Sequence, residues 1–464
     1  MKTFIYNTFG GIEMKVAKFG GSSLADANQF RKVGNIIKDD QKRKFVVVSA
    51  PGKRHDQDYK MTDLLIDFAE AFIEKDKYKS YYITILDRFT KIVQELELAE
   101  TILTEIEDHI QGIMQSDLPD EQMINSFKAV GEDCSAKILN AYLQSLGIKA
   151  TYMNPKDAGI ILENDPTGAH LVQNSYQSIY KLREHDGVIV IPGFFGYTKE
   201  GELTTFSRGG SDITGAIIAA GVQAELYENF TDVDSVFSVN PSIVKNPKEI
   251  DVLTYREMRE LSYAGFSVFH DEALIPAFQE KIPVCVKNTN NPSADGTMII
   301  AERAPDTTNN NCVVGIASNS GFKSIYVSKF LMNREIGFGR KLFEILEDEH
   351  ISFEHAPSGI DDMSIIVRNS QLPKEKEQFI IDRIYNELHV DTVSINRDLA
   401  LIMIVGEGMK EAIGTTQTAA NALGDAKVNI EMINQGSSEV SMMFGIKSNG
   451  VHRAIKSLYR AFFE

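Results

Sequence analysis

The sequence predicts a three-layer α/β sandwich with a mainly parallel sheet, followed by two small βαββαβ domains of the ferredoxin-like plan. Over residues 14–305, buried runs rich in β-branched residues, such as Phe45–Val48 and Gly187–Pro192, alternate with helical stretches. This alternation is typical of parallel sheets covered on both faces. After a polar boundary at Pro305–Asn311, the order of elements becomes βαββαβ and then βαββα, which predicts two repeated domains.

The first part of the chain builds its sheet from strands separated by long helices. The predicted strands are Val16–Ala17, Phe45–Gly52, Gly187–Gly196, Ala224–Asp232 and Ile282–Lys287. Helical periodicity covers Leu24–Lys38, Met61–Gln115, Glu121–Leu146 and Ile213–Ala220, with polar turns at Lys75–Ser80 and near Glu97.

The second part contains one complete repeat and one that lacks its last strand. The first repeat has strands at Ser324–Phe330, Ile351–Ala356, Ser364–Arg368 and Asp391–Ile395, and helices at Gly339–His350 and Pro373–Leu388. The second has strands at Ala400–Val405, Val428–Ile433 and Val440–Ile446, and helices at Met409–Gly424 and Val451–Phe463. An open βαββα unit leaves a sheet edge uncovered. We therefore expect the strand at 312–317 to cross over and complete the second repeat, so that the two repeats interlock.

The length and composition of the chain limit the number of domains and the classes of partner that it can have. A chain of 464 residues is too long for one core, so two or three domains are expected. The net charge of −17 argues against nucleic acid or an anionic membrane as the main partner, and no apolar stretch approaches the roughly 20 residues of a membrane span. The odd number of widely spaced cysteines (Cys134, Cys285, Cys312) indicates a reducing cytoplasm.

The loop Lys18–Ser23, of sequence KFGGSS, follows a short strand and opens a helix. Its glycines let the backbone approach an anion, and the N–H groups of the helix start point at that anion. Lys18 adds a positive charge. The alternative interpretation is an ordinary turn with a surface lysine. The Gly-x-x-x-x-Gly-Lys-Ser/Thr pattern of a Walker loop does not occur in the chain.

A second loop, Ser207–Asp212 of sequence SRGGSD, repeats this design with an arginine, paired glycines and a helix start. The alternative here is a capped helix without a ligand. Because the carboxyl ends of parallel strands meet at one sheet edge, we expect one ligand site to include Lys18, Ser49, Glu132, Arg208, Asp212 and Asp232.

These motifs, in this order, resemble the monofunctional aspartokinases of the amino-acid-kinase superfamily, which end in paired ACT domains. The resemblance runs from Met14 to Glu464 and is carried by Lys18–Ser23, Val48–Ala50, Thr62–Leu65, Gly131–Glu132, Gly193–Gly196, Ser207–Asp212, Thr231–Val233 and Ile433–Glu439. It implies transfer of the ATP γ-phosphoryl group to the side-chain carboxylate of L-aspartate, giving 4-phospho-L-aspartate. This reaction is the first step of the lysine, threonine and methionine branch. The attacking carboxylate is ionised at neutral pH, so no general base is needed.

The resemblance also assigns roles to individual residues. The expected catalytic residues are Lys18, which contacts the phosphates, Asp212, which orients Lys18, and Arg208. The nucleotide is expected against Lys18, Gly20, Gly21, Ser22, Thr231, Asp232 and Phe237. Aspartate is expected against Ser49, Thr62, Glu132, Phe194, Arg208, Gly209 and Ser211. The fork of Arg208 suits a carboxylate and Glu132 an ammonium group. Mg²⁺ is expected to arrive with ATP, with no metal site in the protein itself.

Three positions depart from the family pattern. Phe237 stands where a nucleotide-side tyrosine is usual, Ser242 where an arginine is usual, and Ser267 where a lysine is usual. Two cations near ATP are therefore missing. Either other basic residues replace them or the affinity for nucleotide is weaker.

The resemblance divides the chain into an extension (1–13), a catalytic domain (14–305), a linker (306–323), a first ACT domain (324–397) and a second (398–464). Met1 and Met14 both remain possible starts. ACT pairs in this family bind an end-product amino acid at a dimer interface, so a homodimer or tetramer is expected. Lysine is the first expected effector and threonine the second. The matching positions are Met332, Phe338, Ser352, Phe353 and Glu354. Glu354 would bind the effector ammonium, or else is a surface acid on a strand.

Two other functions remain to be weighed. A kinase for another amino acid, such as glutamate, would keep the phosphate loops but should not carry this ACT pair. A non-catalytic amino-acid sensor built on a decayed kinase would explain the missing cations. The presence of Lys18, Glu132, Arg208 and Asp212 favours a catalyst.

Overall fold

The structure is a computed structural model that describes residues 13–165, 168–206, 209–266, 269, 272–303, 312–436 and 440–464. The strands are β1 Lys15–Phe19, β2 Arg43–Val48, β3 Ala150–Tyr152, β4 Leu162–Asp165, β5 Gly168–Leu171, β6 Val188–Pro192, β7 Phe195–Tyr197, β8 Leu203–Thr205, β9 Leu226–Thr231, β10 Val236–Phe237, β11 Glu249–Ile250, β12 Val252–Thr254, β13 Val284–Asn288, β14 Thr297–Ile300, β15 Gly315–Ser328, β16 Asp362–Arg368, β17 Thr392–Val405, β18 Met432–Asn434 and β19 Ser441–Lys447.

Helices alternate with these strands in the sequence along most of the chain. They are α1 Ala27–Asp39, α2 Met61–Ile73, α3 Tyr78–Glu95, α4 Thr101–Met114, α5 Asp120–Ser145, α6 Ser175–Tyr180, α7 Gly210–Gly221, α8 Tyr255–Tyr263, α9 Ile275–Gln279, α10 Phe338–Asp348, α11 Lys374–Leu388, α12 Thr415–Asp425 and α13 Val451–Phe463. In the part of the chain that the structure describes, none of the helices is both long and apolar enough to cross a bilayer.

The chain forms two units. The first comprises Met1–Val236, Glu249–Tyr255 and Val268–Pro305, and the second comprises Phe237–Lys248, Arg256–Ser267 and Asp306–Glu464. Two segments inside the expected catalytic domain, 237–248 and 256–267, thus group with the C-terminal part of the chain.

An eight-stranded sheet with the order β12-β14-β13-β9-β1-β2-β6-β3 forms the centre of the first unit. Six of its strands are parallel, and β14 pairs antiparallel with β13. The side chains of β1 and β2 are buried on both faces along almost the whole length of these strands, as expected for parallel strands that are covered on both sides. The predicted α/β class with a mainly parallel sheet is confirmed.

Helices α1 to α5 cover one face of this sheet. Their buried aromatic side chains, including Phe30, Phe68, Phe89 and Phe127, pack in one core with residues of β1, β2 and β9. Helix α7 contacts the same central strands and is buried over almost its whole length, as its glycine- and alanine-rich sequence permits.

In the second unit one antiparallel sheet, of order β16-β15-β17-β19-β18, serves both repeats. Residues Gly315–Ser320 pair with the second half of β17, and Phe322–Ser328 pair with its first half and with β16. Each repeat keeps its own core, one under α10 and α11 and the other under α12 and α13. The two repeats are interlocked because β15 and β17 each run through both.

Three details of the predicted strands were wrong. The sequence predicts separate strands at 312–317 and 324–330, and again at 391–395 and 400–405, yet β15 and β17 are continuous across the polar residues between them. Irregular pairing near Gly321 and the positive φ of Asp398 (62°) absorb these polar residues without ending either strand. The predicted strand at 351–356 is reduced to isolated bridges to β16, such as His355 with Ile366.

A polar cluster in the first unit permits a prediction about acid stability. Asp133 is 3% exposed and contacts Lys137 Nζ at 2.8 Å, His109 Nδ1 at 3.2 Å and the hydroxyl of Tyr152. Burial disfavours its charge, but the contact with His109 and the charge of Lys137 outweigh this effect and lower the pKa of Asp133 to about 2.

Because the folded pKa lies below the unfolded one, Asp133 stabilises the fold above the ordinary pKa of 3.8, and this contribution is lost as the pH falls towards 2. Asp133→Asn is expected to lower the free energy of unfolding by about 2 kcal/mol at pH 7. The difference from the parent should shrink below pH 4 in urea titrations. Asp186→Asn, at an exposed pair with Lys149, is the control. An equal deficit at pH 7 and pH 3 would contradict the assignment.

Candidate active site

Lys18 lies near the end of β1 and is 7% exposed. Its Nζ is 2.6 Å from Oδ1 of Asp212, which belongs to the first turn of α7. The turn into α7 requires Gly209 with a φ of 76°, a conformation that glycine adopts without strain. A cation and a carboxylate from widely separated parts of the sequence therefore form a buried pair at one sheet edge.

The loop after β1 is a tight backbone cradle. The N–H of Gly20 donates to the carbonyl of Phe230 (3.0 Å), and the N–H of Gly52 donates to the carbonyl of Gly21 (2.7 Å). A Cβ on Gly21 would lie 3.0 Å from the carbonyl oxygen of Ala50, so a side chain there would force the two loops apart. Ser22 lies within the short 3₁₀ turn that follows.

A second group of polar residues borders this cradle. Thr231 ends β9, and its hydroxyl donates to Oδ1 of Asp232 at 3.2 Å. The N–H of Thr289 donates to the carbonyl of Thr231 at 2.9 Å, and its hydroxyl lies 2.7 Å from that of Ser23. Asn288 donates to Oδ1 of Asp234 at 2.8 Å. Sequence reasoning missed Asn288 and Thr289, although their position just after a predicted strand was a usable signal.

Glu132 lies in the middle of α5 and is 4% exposed. Helix α5 approaches the loop after β2 closely there, since a Cβ on Gly131 would lie 2.6 Å from that of Ala50. Burial raises the pKa of Glu132 to about 8, against the weaker effects of the Ala50 N–H and the charge of Lys18. Its Oε2 is buried, and no hydrogen-bond partner for it is found in the described part of the chain.

Ser49, Phe194 and Ser211 are the next substrate candidates. The N–H of Ser49 donates to the carbonyl of Phe19 at 3.1 Å, which joins the ends of β1 and β2. Phe194 has a φ of 76°, and its N–H donates to Thr214 Oγ1 at 3.1 Å. A Cβ on Gly193 would collide with Ser211. Sequence reasoning missed Thr214, which is buried in α7 among apolar residues.

Other candidates fall elsewhere. Thr62 is the second residue of α2. Arg208 and Ser267 lie outside the described residues. Phe237 and Ser242 belong to the second unit. No group of three or more His, Cys, Asp or Glu side chains suited to a metal ion occurs within the described ranges.

The predicted effector residues lie in the first repeat. Met332 and Phe338 are buried in its core, whereas Phe353 is 49% exposed and stacks on Phe343. Ser352 is also exposed.

Glu354 is neither an isolated surface acid nor an open carboxylate. Its Oε1 accepts from Nε of Arg368 at 2.7 Å, and its Oε2 accepts from the hydroxyl of Tyr263. Tyr263 also lies 3.3 Å from Nε2 of His355. The sequence could not show these partners because Tyr263 comes from a distant helix, α8.

Comparison with known proteins identifies the family of the chain. The model of the Amino acid kinase family matches residues 13–288, and that of the ACT domain matches residues 402–462. The chain is 56% identical to Aspartokinase 3 of Bacillus subtilis (strain 168) over 451 residues, which cover 97% of this chain and 99% of that protein.

Solved structures give the same result. The aspartate kinase of Clostridium acetobutylicum, described as an allosteric enzyme, is 38% identical with a TM-score of 0.83, covering 97% of this chain and 100% of that one. E. coli aspartokinase III in complex with aspartate and ADP shares the fold, with 23% identity, a TM-score of 0.73, and coverage of 97% and 100%. The chain therefore belongs to the amino acid kinase family and, within it, to the aspartate kinases.

Proposed function

We propose that this aspartate kinase transfers the γ-phosphoryl group of ATP to the side-chain carboxylate of L-aspartate at the site formed by Lys18, Asp212 and Glu132. The carboxylate oxygen attacks the γ-phosphorus, the bond to the β–γ bridging oxygen breaks, and ADP leaves. Lys18 neutralises charge on the transferring group, and Asp212 holds the ammonium group of Lys18 in position. Mg²⁺ bound to the incoming ATP would spread the charge of the phosphates.

The remaining candidates have positioning roles in this proposal. Arg208 binds a substrate carboxylate, and the N–H groups of the cradle and the helix starts bind phosphate. The nucleotide contacts Gly20, Gly21, Ser22, Thr231 and Asp232, and aspartate contacts Ser49, Thr62, Phe194, Gly209 and Ser211.

The observation that carries the proposal is the buried carboxylate of Glu132. An acidic side chain that is 4% exposed, with an oxygen that lacks a hydrogen-bond partner in the described part of the chain, is unfavourable unless a ligand supplies the donor. The α-ammonium of an amino acid is such a donor. A sensor would also use it, but a sensor has no need of the Lys18–Asp212 pair beside a phosphate cradle.

The test is ATP-dependent trapping of the acyl phosphate with hydroxylamine, with aspartate or glutamate as the acceptor. Hydroxamate formed from aspartate and not from glutamate is the expected result. Product from glutamate at a comparable rate would reassign the substrate. No product at saturating ATP and Mg²⁺ would support the non-catalytic sensor, for which the missing cations at Ser242 and Ser267 would be the cause.

We also propose that the second unit regulates the activity of the enzyme. In this proposal the enzyme is a cytoplasmic homo-oligomer, and its reaction belongs to the lysine, threonine and methionine branch. Lysine is the first candidate effector and threonine the second. The Clostridium acetobutylicum enzyme is described as allosteric, which supports regulation here. An effector ammonium that binds Glu354 must compete with Arg368 and Tyr263. Its binding would therefore change the restraint on α8.

Tyr263→Phe is expected to change the lysine concentration for half-maximal inhibition by about 3- to 10-fold, because one charged hydrogen bond to Glu354 is lost. The activity without lysine should change by less than twofold. Tyr385→Phe, at a half-exposed tyrosine of α11, is the matched control. Inhibition curves that coincide for both variants and the parent would refute this coupling, and inhibition by threonine alone would replace lysine as the effector.

A further inference from the structure

Asn229 is a buried amide in the central sheet of the first unit. It lies on β9, is 3% exposed, and is in register with Lys18 on the neighbouring parallel strand β1. Residues in register on adjacent strands point to the same face. An amide in such a position is unfavourable unless its polar atoms are hydrogen-bonded, so its partners indicate what it does.

The amide bonds directly to the carboxylate that holds Lys18. Nδ2 of Asn229 donates to Oδ1 of Asp212 at 2.6 Å, and Nζ of Lys18 contacts the same oxygen at 2.6 Å. The orientation of the amide is determined by this contact, because the opposite orientation would set its carbonyl oxygen against a carboxylate oxygen.

A third group, the hydroxyl of Tyr227, holds the backbone of Asp212. The hydroxyl of Tyr227 donates to the carbonyl of Asp212 at 3.2 Å and lies 3.5 Å from Nδ2 of Asn229. Tyr227 is fully buried, and its hydroxyl lies close against Gly215 in α7. Strand β9 thus holds Asp212 by its side chain and by its main chain.

We propose that Asn229 is a positioning residue for phosphoryl transfer that acts through Asp212. The inference rests on the proposed roles of Lys18 and Asp212. When Lys18 shifts its ammonium towards the phosphates, Asp212 loses part of its charge partner in a site of low dielectric. The amide of Asn229 still donates to Oδ1 and keeps the carboxylate, and so the ammonium, in place during the reaction.

The test is a double-mutant cycle between Asn229→Leu and Asp212→Ala, measured by hydroxamate formation. Asn229→Leu keeps a similar volume and removes the hydrogen bond. We expect kcat to fall about 10- to 100-fold, as for loss of a hydrogen bond to a charged group. The KM values for ATP and aspartate should stay within threefold. In the Asp212→Ala background, Asn229→Leu should have almost no further effect.

Asn140→Leu, at a partly buried asparagine of α5 in the same unit, is the matched control and should leave kcat unchanged. Thermal unfolding checks that each variant is folded. If Asn229 has a purely structural role, the losses of kcat caused by Asn229→Leu and by Asp212→Ala should multiply in the double variant, and this result would overturn the inference. An unchanged kcat in Asn229→Leu would overturn it as well. If Asp212→Ala itself retains kcat, the proposed roles of Lys18 and Asp212 fail first, and this result is distinguishable from failure of Asn229 alone.

Discussion

Lys18→Met is expected to lower kcat by about 10³-fold, because the charge that would neutralise the transferring phosphoryl group is removed. Methionine keeps the length and most of the apolar volume of the lysine stem, so the end of β1 should remain packed. The substitution also leaves the carboxylate of Asp212 without the cation at 2.6 Å. The KM for aspartate should change far less than kcat.

Lys15→Met is the matched control for this experiment. Lys15 begins the same strand and pairs with Asp40 at 2.8 Å, at the end of β1 remote from the cradle. It should retain near-parent kcat. Lys18→Arg should recover little, because a planar guanidinium does not replace a compact ammonium in a tight site. If Lys18→Met keeps more than about a tenth of the activity, Lys18 is not the cation that serves the transfer.

Glu132→Gln is expected to raise the KM for aspartate by about 10²-fold at pH 8, because it removes the charge proposed to bind the α-ammonium. Burial raises the pKa of Glu132 to about 8, so at pH 7 most of the ligand-free enzyme carries this group protonated. The ammonium binds the carboxylate form, so binding must release the proton.

The sign of the pH dependence follows from this coupling. In the parent enzyme the KM for aspartate should fall as the pH rises from 6, by about tenfold per pH unit, and level off above pH 8. In Glu132→Gln this dependence should disappear. Calorimetry at pH 7 in buffers of different ionisation enthalpy should show nearly one proton released per aspartate bound.

Glu121→Gln is the control for the calorimetry and the kinetics, because Glu121 is exposed in the first turn of the same helix. It should leave the KM and its pH dependence unchanged. A parent KM that is flat from pH 6 to pH 8, with no proton released, would show that Glu132 does not receive the ammonium.

The sequence by itself determined the fold class, the family and the two glycine-rich loops. These features depend on local pattern: β-branched runs in parallel strands, glycines in tight turns, and the repeated order of strands and helices after Asn311. Such patterns survive without knowledge of the neighbours in space. The family resemblance also selected Lys18, Asp212 and Glu132 as candidates before any distance was known.

Only the tertiary structure decided which side chains are partners. Asn229 is one polar residue within the predicted strand Ala224–Asp232, and its contact with Asp212 exists only because the fold sets β9 beside β1 and α7. Glu354 is engaged by Arg368 and by Tyr263 from α8, so its carboxylate is not open as the sequence had suggested. Burial and hydrogen bonding depend on residues far apart in the chain, and local sequence patterns do not record which of those residues the fold brings within bonding distance.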